Sequence, residues 1–394
     1  MKVVIVGGVA GGASTATRLR RLDEKAEIIM FERGNYISFA NCGLPYYLSD
    51  TIQKKEDMVV QTPESLGKRF NLDIRIRQEV TEIDRKEKTV KIHDYTNVNT
   101  YIEKYDKLLL SPGAKPFIPP IQGLDSNKVF SLRDIPDVVA IKDYIKQKNP
   151  RRIVIFGAGY IGIEIAENLK KAGFIVTIIE LMDQILGPLD YEMATLVHQH
   201  LKEKEVEFYL SDPVQSIEHD GSCQILILAS GKKIKTDMII MGVGVRPEIG
   251  LAKDAGLDIG TTGGIKVNKY LQTSDPDIYA VGDAIEVSDY ISGNPALIPL
   301  AGPANKQGRT AAGNILGKKE VYNGSQGSSI IKVFDITIAT TGNNEKLLKR
   351  NGISYQKSYT HSPSHAGYYP GASPISLKIL FSPDDGKILG AQAV

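Results

Sequence analysis

The sequence predicts an α/β fold with two βαβ units, followed by a smaller α+β unit. Three observations carry this reading. A strand, a glycine-rich turn, a helix and a second strand follow one another from Lys2 to Glu32, and the same succession recurs from Ile153 to Glu180. Beyond Gly327 the glycine turns give way to short alternating apolar runs, the pattern of antiparallel strands.

Taken in order, the first unit reads as a strand at Lys2 to Val6, a turn at Gly7 to Gly12, a helix at Ala13 to Leu22 and a strand at Glu27 to Glu32. The charged stretch Asp84 to Lys88, with Lys91, reads as a solvated β-hairpin and attracts no functional assignment. An apolar strand from Tyr105 to Leu110 leads out at Ser111-Pro112-Gly113-Ala114. The second copy has its strand at Ile153 to Phe156, its turn at Gly157 to Gly162, a helix to about Lys171 and a strand ending at Glu180. Its exit strand, Asp237 to Met241, runs into Gly242-Val243-Gly244. The last unit places strands at Ile330 to Phe334, at Ser376 to Phe381 and from Ile388 onward.

Composition narrows the function classes. The chain has 394 residues, and a 42% hydrophobic content is enough to pack a core in each of two or three domains. Forty-eight Lys+Arg against 46 Asp+Glu leave a net charge of only +2, so no whole-chain field draws it to nucleic acid or an anionic membrane. The apolar run Val3 to Val6 is too short for a signal segment, and no stretch approaches the length that spans a bilayer. Two cysteines do not make a disulfide framework, so a cytoplasmic location is expected, and no metal-ligand set is assigned.

The turn Gly157-Ala158-Gly159-Tyr160-Ile161-Gly162 carries all three glycines of a dinucleotide fingerprint. The first permits the tight turn, the second lets the backbone approach a pyrophosphate, and the third brings helix and strand together. Glu180, at the end of the next strand, is placed to accept bonds from ribose hydroxyls, and no Lys or Arg lies between it and Asp190 to pair a 2′-phosphate. NADH is therefore expected, with NADPH possible. The first turn, Gly7-Gly8-Val9-Ala10-Gly11-Gly12, is less regular, with Val9 at the second-glycine position and Glu32 as its strand-end carboxylate.

With both turns comes Thr273-Ser274-Asp275-Pro276-Asp277-Ile278-Tyr279-Ala280-Val281-Gly282-Asp283, and the chain resembles the FAD- and NAD-linked disulfide reductase superfamily. The resemblance implies two Rossmann-like domains, with Asp283 bonding the ribityl chain of FAD and Ala301 to Gly308 opening a helix beside the flavin; the plainer reading of Asp283 is a turn residue. Implied cofactor contacts are Gly7, Val9, Ala10, Gly11, Gly12, Glu32, Asn41, Gly113, Gly282, Asp283, Ala301 and Ala304 for one nucleotide. For the other they are Gly157, Gly159, Tyr160, Ile161, Gly162, Glu164, Glu180 and Gly244. Glu164 resembles the carboxylate that lies near flavin and nicotinamide in this family, the alternative being a helix-surface glutamate. The expected domains are 1–114 and 246–322 for FAD, 115–245 for NAD(P)H, and 323–394 as an interface domain.

Within the superfamily, Ser38-Phe39-Ala40-Asn41-Cys42-Gly43-Leu44-Pro45-Tyr46 resembles the one-cysteine branch: coenzyme A disulfide reductases, polysulfide and persulfide reductases, and NADH oxidases and peroxidases. Pro45 and Tyr47 stand where the two-cysteine branch needs a resolving thiol. Cys42 is thus expected to exchange with an external sulfur partner, its pKa lowered by loop N–H donors and the flavin; the alternative is a buried structural thiol. Cys223 reads as a small strand-end residue. The oxidases and peroxidases carry a histidine where this chain has Ala10, which favours thiol–disulfide chemistry over sulfenate cycling.

A coenzyme A substrate needs cations for its phosphates. Arg18 and Arg21 share a face of the first helix, with Lys68 and Arg69 as further candidates; the alternative is a solvated basic helix end. Ser38 and Asn41 flank the thiol as substrate contacts. Tyr368 and Tyr369 resemble the segment that lends a tyrosine to the other subunit's cysteine, the alternative being core aromatics beside a Pro-Gly turn. Family members continue for some tens of residues past the position of Val394, some into a rhodanese domain, so an incomplete interface domain and a longer homodimeric parent are expected. The activity implied is NAD(P)H-dependent reduction of coenzyme A disulfide, coenzyme A persulfide or polysulfide. The alternatives are an NADH oxidase or peroxidase and a non-catalytic flavoprotein sensor.

Overall fold

The structure, a computed structural model, describes residues 1–221 and 223–394. The helices are α1 (Ala10–Leu22), α2 (Leu44–Leu48), α3 (Pro63–Phe70), α4 (Ile135–Lys148), α5 (Tyr160–Lys171), α6 (Tyr191–Glu203), α7 (Gly250–Asp254), α8 (Ala301–Ile315) and α9 (Glu345–Arg350). The chain divides into two compact units, one of 1–40, 56–115 and 245–325, the other of 41–55, 116–244 and 326–394.

In the first unit a parallel sheet runs in the order Ile278–Ala280, Lys107–Leu110, Lys2–Val6, Glu27–Glu32 and Asp73–Ile76. Its inner strands are near-continuous apolar runs, the pattern of strands covered on both faces, and Val3, Val4, Ile5, Ile28, Leu108 and Leu109 are buried. Helix α1 crosses α8 closely. A Cβ on Gly308 would lie 2.6 Å from the Gly11 carbonyl, and Ser14 Oγ donates to Asn305 Oδ1 at 2.7 Å across the crossing. The expected charged hairpin is present as Gln78–Asp84 paired antiparallel with Thr89–Asp94, and a third strand, Asn99–Lys104, extends it.

In the second unit the parallel sheet runs Glu207–Tyr209, Ile175–Ile179, Arg152–Phe156, Met238–Met241 and Val129–Ser131. The C-terminal residues form an antiparallel sheet in the order Ser329–Val333, Ile336–Gly342, Ile388–Ala393, Pro374–Phe381 and Gln356–Pro363. This sheet is tied to the N-terminus of α6 and to α9 by ions as well as by packing. Lys378 is fully buried, and its ammonium meets Asp190 Oδ2 at 2.7 Å and the carboxylates of Glu192 and Glu345. Asp190 and Gln392 add a reciprocal pair of bonds at 2.8 and 2.7 Å. The three carboxylates lie close enough to hold a metal ion, but the ammonium contacts all three.

Several strand ends shift by one or two residues from the sequence reading, as at Lys107–Leu110, Ser329–Val333 and Pro374–Phe381, and one helix boundary shifts further. Helix α1 begins at Ala10 rather than Ala13, because the Val9 carbonyl already accepts from the Ala13 amide at 2.9 Å. The last two glycines of the turn therefore form the first turn of the helix, as Tyr160, Ile161 and Gly162 do for α5. No helix among the described residues is long and apolar enough to cross a membrane.

Candidate active site

Both glycine turns are built alike. Gly7 and Gly157 adopt φ +94° and +95°, and a Cβ would collide with the carbonyl of Ser111 in one unit (2.1 Å) and of Gly242 in the other (2.5 Å). Gly12 and Gly162 bring each helix against its strand, since a Cβ there would lie 1.9 and 2.0 Å from the carbonyls of Gly7 and Gly157. At the end of the second strand the carboxylate is held by two amides. Glu32 accepts from Gly8 N at 2.9 Å and Gly34 N at 2.8 Å, and Glu180 accepts from Ala158 N at 2.6 Å and Met182 N at 2.9 Å. Such pinning fixes the carboxylate beside the turn and leaves acceptor capacity for a ribose.

The turns fit dinucleotides. Neither helix carries an acidic residue in its first turn, so the N–H donors and the dipole there are free to favour a pyrophosphate. A Cβ on Gly159, Gly113 or Gly244 would meet nothing within 4 Å, which is open space of the kind a ligand backbone needs. Asp283 sits in a 3-10 turn, Gly282–Ala284, whose first amide is held by Gln307 Oε1 at 2.8 Å from α8. At the start of that helix Ala301 is exposed and Ala304 buried. Ile161 is exposed, whereas the Tyr160 hydroxyl is committed to Ser329 Oγ at 2.5 Å and Thr340 Oγ1 at 3.2 Å, partners that its sequence position gave no sign of.

Along α1 the first unit carries a groove of about 270 Å³. Ala10, Ser14, Thr17, Arg21, Ser38, Arg69, Phe70 and Asn305 are among its lining residues. Arg21 and Arg69 both lie over the Phe70 ring, at 5.2 and 5.3 Å, so two guanidinium groups converge on it. Arg18 and Lys68 are outside this lining: helical spacing puts Arg18 on the same side as Arg21 but a turn away, and Lys68 precedes the residue of α3 that reaches in. Arg20 is spent elsewhere, bonding the carbonyls of Phe70 (2.9 Å) and Asn71 (2.8 Å). Ser38 is held at φ +45°, with its carbonyl accepting from Val60 N at 2.9 Å and Gln61 N at 3.2 Å.

Cys42 stands in the 3-10 turn Asn41–Gly43 that precedes α2, and this segment packs with the second unit, against α5. The thiol is exposed, which removes the buried structural alternative. Asn41 reaches the Arg133 carbonyl at 3.4 Å. Glu164, Glu167, Asn168 and Lys171 recur at helical spacing along α5, and Asn168 accepts from Ser49 Oγ at 2.6 Å, fastening the segment after α2 to that stripe.

The chain's own groups act on the thiol apart from the influence expected of a flavin. Although Cys42 is exposed as a residue, partial desolvation pushes its thiol above the ordinary value and the Glu164 carboxylate adds to this; only a backbone hydrogen bond acts in the expected, lowering direction. Burial first, and Glu167 second, lift Glu164 to about 7, against a lowering hydrogen bond from Tyr46. The Tyr46 hydroxyl is itself raised by burial and by these carboxylates. Tyr46 and Glu167 escaped the sequence reading, the first sitting inside the cysteine motif and the second three residues past Glu164. Cys223 bonds within its own strand cluster, to Arg152 at 3.1 Å and Asp237 at 3.3 Å. Tyr368 and Tyr369 are 91% and 66% exposed, so they are not core aromatics.

Two dinucleotide turns with pinned carboxylates, in a chain that also presents an exposed thiol, define a nucleotide-dependent oxidoreductase. The chain belongs to the pyridine nucleotide-disulphide oxidoreductase family, whose description matches residues 1–308, with the dimerisation domain of that family matching residues 328–394. Family membership implies FAD and a pyridine nucleotide as cofactors. A protein named NADH oxidase from Methanocaldococcus jannaschii is 36% identical over all of this chain and 87% of its own length. Coenzyme A disulfide reductase of Staphylococcus haemolyticus is 33% identical over all of this chain and 88% of its own. Among solved structures, reduced Bacillus anthracis CoADR-RHD superposes with a TM-score of 0.97 at 52% identity, covering all of this chain and 70% of that one.

Proposed function

We propose that this protein uses NADH to reduce a sulfur–sulfur bond in a coenzyme A-type substrate (coenzyme A disulfide, coenzyme A persulfide or polysulfide) through Cys42 alone. The observation that carries this is the exposed Cys42 thiol beside a carboxyl and a phenol, while the other cysteine is engaged with Arg152 and Asp237. A thiol with no internal partner suits exchange with an external disulfide. Bound FAD supplies the two-electron relay between nicotinamide and sulfur.

The chain's own residues do the rest. The Cys42 thiolate attacks the substrate disulfide, forming a mixed disulfide and releasing the first thiol. Two electrons then cleave the mixed disulfide, releasing the second thiol and restoring the thiolate. The balance is NADH + H⁺ + RSSR → NAD⁺ + 2 RSH. Arg21 and Arg69, which line the groove with Ser38, are the cations for the substrate phosphates, and Ser38 and Asn41, which flank Cys42 in sequence, are the contacts for its pantetheine. Glu180 orients the adenosine ribose of NADH, and Asp283 the ribityl chain. The exposure of Tyr368 and Tyr369, in the turn between Gln356–Pro363 and Pro374–Phe381 of the C-terminal sheet, supports their use by a second subunit of a homodimer.

The name of the Methanocaldococcus relative supports a second reading, an NADH oxidase. Against it, Ala10 offers no imidazole in the first turn. Steady-state oxidation of NADH by the FAD-loaded protein separates the two. Turnover on coenzyme A disulfide or persulfide well above the rate with oxygen is expected, and the reverse order would replace the reductase by the oxidase.

A further inference from the structure

The stretch from Leu181 to Asp190, which follows the strand-end carboxylate Glu180, forms neither helix nor strand, yet Gln184, Ile185, Leu186, Leu189 and Asp190 are buried. A buried loop must find partners for its backbone polar groups, and several of them come from the C-terminal residues. Asn344 Nδ2 donates to the Gly187 and Pro188 carbonyls at 3.3 and 3.1 Å, and Gln392 Oε1 accepts from the Asp190 amide at 2.8 Å. Gln184 is 2% exposed, and its amide nitrogen donates to the carbonyls of Leu186 and Leu189 at 3.4 and 2.9 Å. Its oxygen accepts from the Lys346 ammonium of α9, 162 residues away in sequence.

The loop in turn holds the second glycine turn. Leu186, at φ +53°, donates its amide to the Ala158 carbonyl at 2.9 Å, and the Ala158 amide is the one bonded to Glu180. A leucine in the left-handed region is strained and persists only where its surroundings impose it; here Gln184 bonds both ends of the bend from Leu186 to Leu189. The first unit has the same device: Ser38 follows Glu32 by as many residues as Leu186 follows Glu180, adopts φ +45° and donates to the Gly8 carbonyl at 3.1 Å. There the Ser38 carbonyl is held by the backbone amides of Val60 and Gln61, whereas the Leu186 carbonyl is held by a side chain that is itself held from α9. A separate tie from the C-terminal sheet reaches the same glycine turn, from Tyr160 to Ser329 and Thr340.

We propose that Gln184 is a positioning residue for NADH binding, setting through Leu186 the shape of the turn from Gly157 to Gly162, and that Lys346 makes this support a task of the C-terminal domain. The residues that match the family's dimerisation domain thereby also set nucleotide affinity. This rests on the NADH half of the reading above and not on the choice of sulfur substrate.

The test uses the FAD-loaded protein with NAD⁺ as the probe. Lys346→Met cuts the tie at its exposed end, where the fold is not at stake, and Lys346→Arg keeps a donor there. Gln184→Glu keeps the acceptor for Lys346 and loses the donors to Leu186 and Leu189. By calorimetry, NAD⁺ is expected to bind about fivefold more weakly to Lys346→Met and at least as weakly to Gln184→Glu, with Lys346→Arg close to native. Hydrogen exchange at the Leu186 amide, measured without nucleotide, is expected to quicken in the two weakened variants. The KM for NADH is expected to rise while kcat and the KM for coenzyme A disulfide hold, because a looser turn loses ground-state and transition-state binding alike. A merely structural lesion would lower FAD content and disturb both substrates together, and that pattern overturns the positioning role. Unchanged NAD⁺ affinity in Lys346→Met overturns the proposal even where Gln184→Glu fails to fold, as does weakened affinity with Leu186 exchange unmoved. Native protein that binds no NAD⁺ overturns the NADH assignment and the proposal with it. Native protein that binds NAD⁺ but turns over no sulfur substrate overturns the reductase reading alone, since calorimetry and exchange need no sulfur substrate.

Discussion

At Cys42 the chain sets a thiol against a carboxyl rather than against a cation. Desolvation and Glu164 raise its pKa, so in the chain alone the reactive thiolate gains as pH rises, and its alkylation is expected to accelerate with pH past the usual thiol range. Cys42→Ser substitutes a hydroxyl that stays neutral near pH 7 and forms no disulfide. Reduction of the flavin by NADH in a single turnover is expected to survive in this variant, while turnover on coenzyme A disulfide falls by at least about a thousandfold. Cys223→Ser, at a sulfur bound to Arg152 and Asp237, is expected to leave both steps nearly intact. Undiminished disulfide turnover by Cys42→Ser in stopped-flow and steady-state assays would refute the single-thiol mechanism.

At the scale of the element, the βαβ turn works because strand, glycine turn and strand-end carboxylate are locked to each other. Glu180 does not hang free at the end of Ile175–Ile179. Its own amide is bonded to Tyr209, and its oxygens are held by Ala158 and Met182. A 2′-phosphate brought to that place meets a fixed negative charge, and no basic residue follows before Asp190. In the proposed role, Glu180→Ala removes the repulsion and the ribose acceptor together. The preference for NADH over NADPH in flavin reduction is expected to shrink by about tenfold, or ~1.4 kcal/mol. Native protein reduced faster by NADPH would contradict the role given to this residue.

At the scale of the whole molecule, the second unit depends on a buried cation. Lys378 of the C-terminal sheet reaches Asp190 and Glu192 at the start of α6 and Glu345 on α9, joining segments nearly two hundred residues apart in sequence. Burial pushes Glu345 up, but hydrogen bonds from Lys378, Tyr355 and Lys357 outweigh it and hold the carboxyl at about 2. A depressed carboxyl stabilises the fold above its unfolded pKa, and that contribution drains away as pH falls from about 4.5 toward 2. Lys378→Met leaves three carboxylates facing one another without their cation. A loss of about 3–5 kcal/mol is expected by urea denaturation at neutral pH, partly recovered in acid as the carboxylates protonate. An unchanged midpoint would show that the ion cluster does not hold this unit together.

What the sequence determined by itself is what short-range physics decides. Gly7 and Gly157 are legible because a left-handed turn against a neighbouring carbonyl excludes a side chain, and Gly12 and Gly162 because a helix packs on its own strand. Glu32 and Glu180 follow from the length of one helix and its return strand. Only the tertiary structure decided which basic residues share a groove, taking Arg21 and Arg69 and passing over Arg18 and Lys68, because that depends on the angle at which α3 meets α1. It also decided that the cysteine segment docks on α5 and that Glu167 is sealed beside Glu164. Burial and charge coupling are properties of the packed interior, where residues far apart in sequence share one dielectric. A motif read along the chain points to Cys42, and packing selects the groups that surround it.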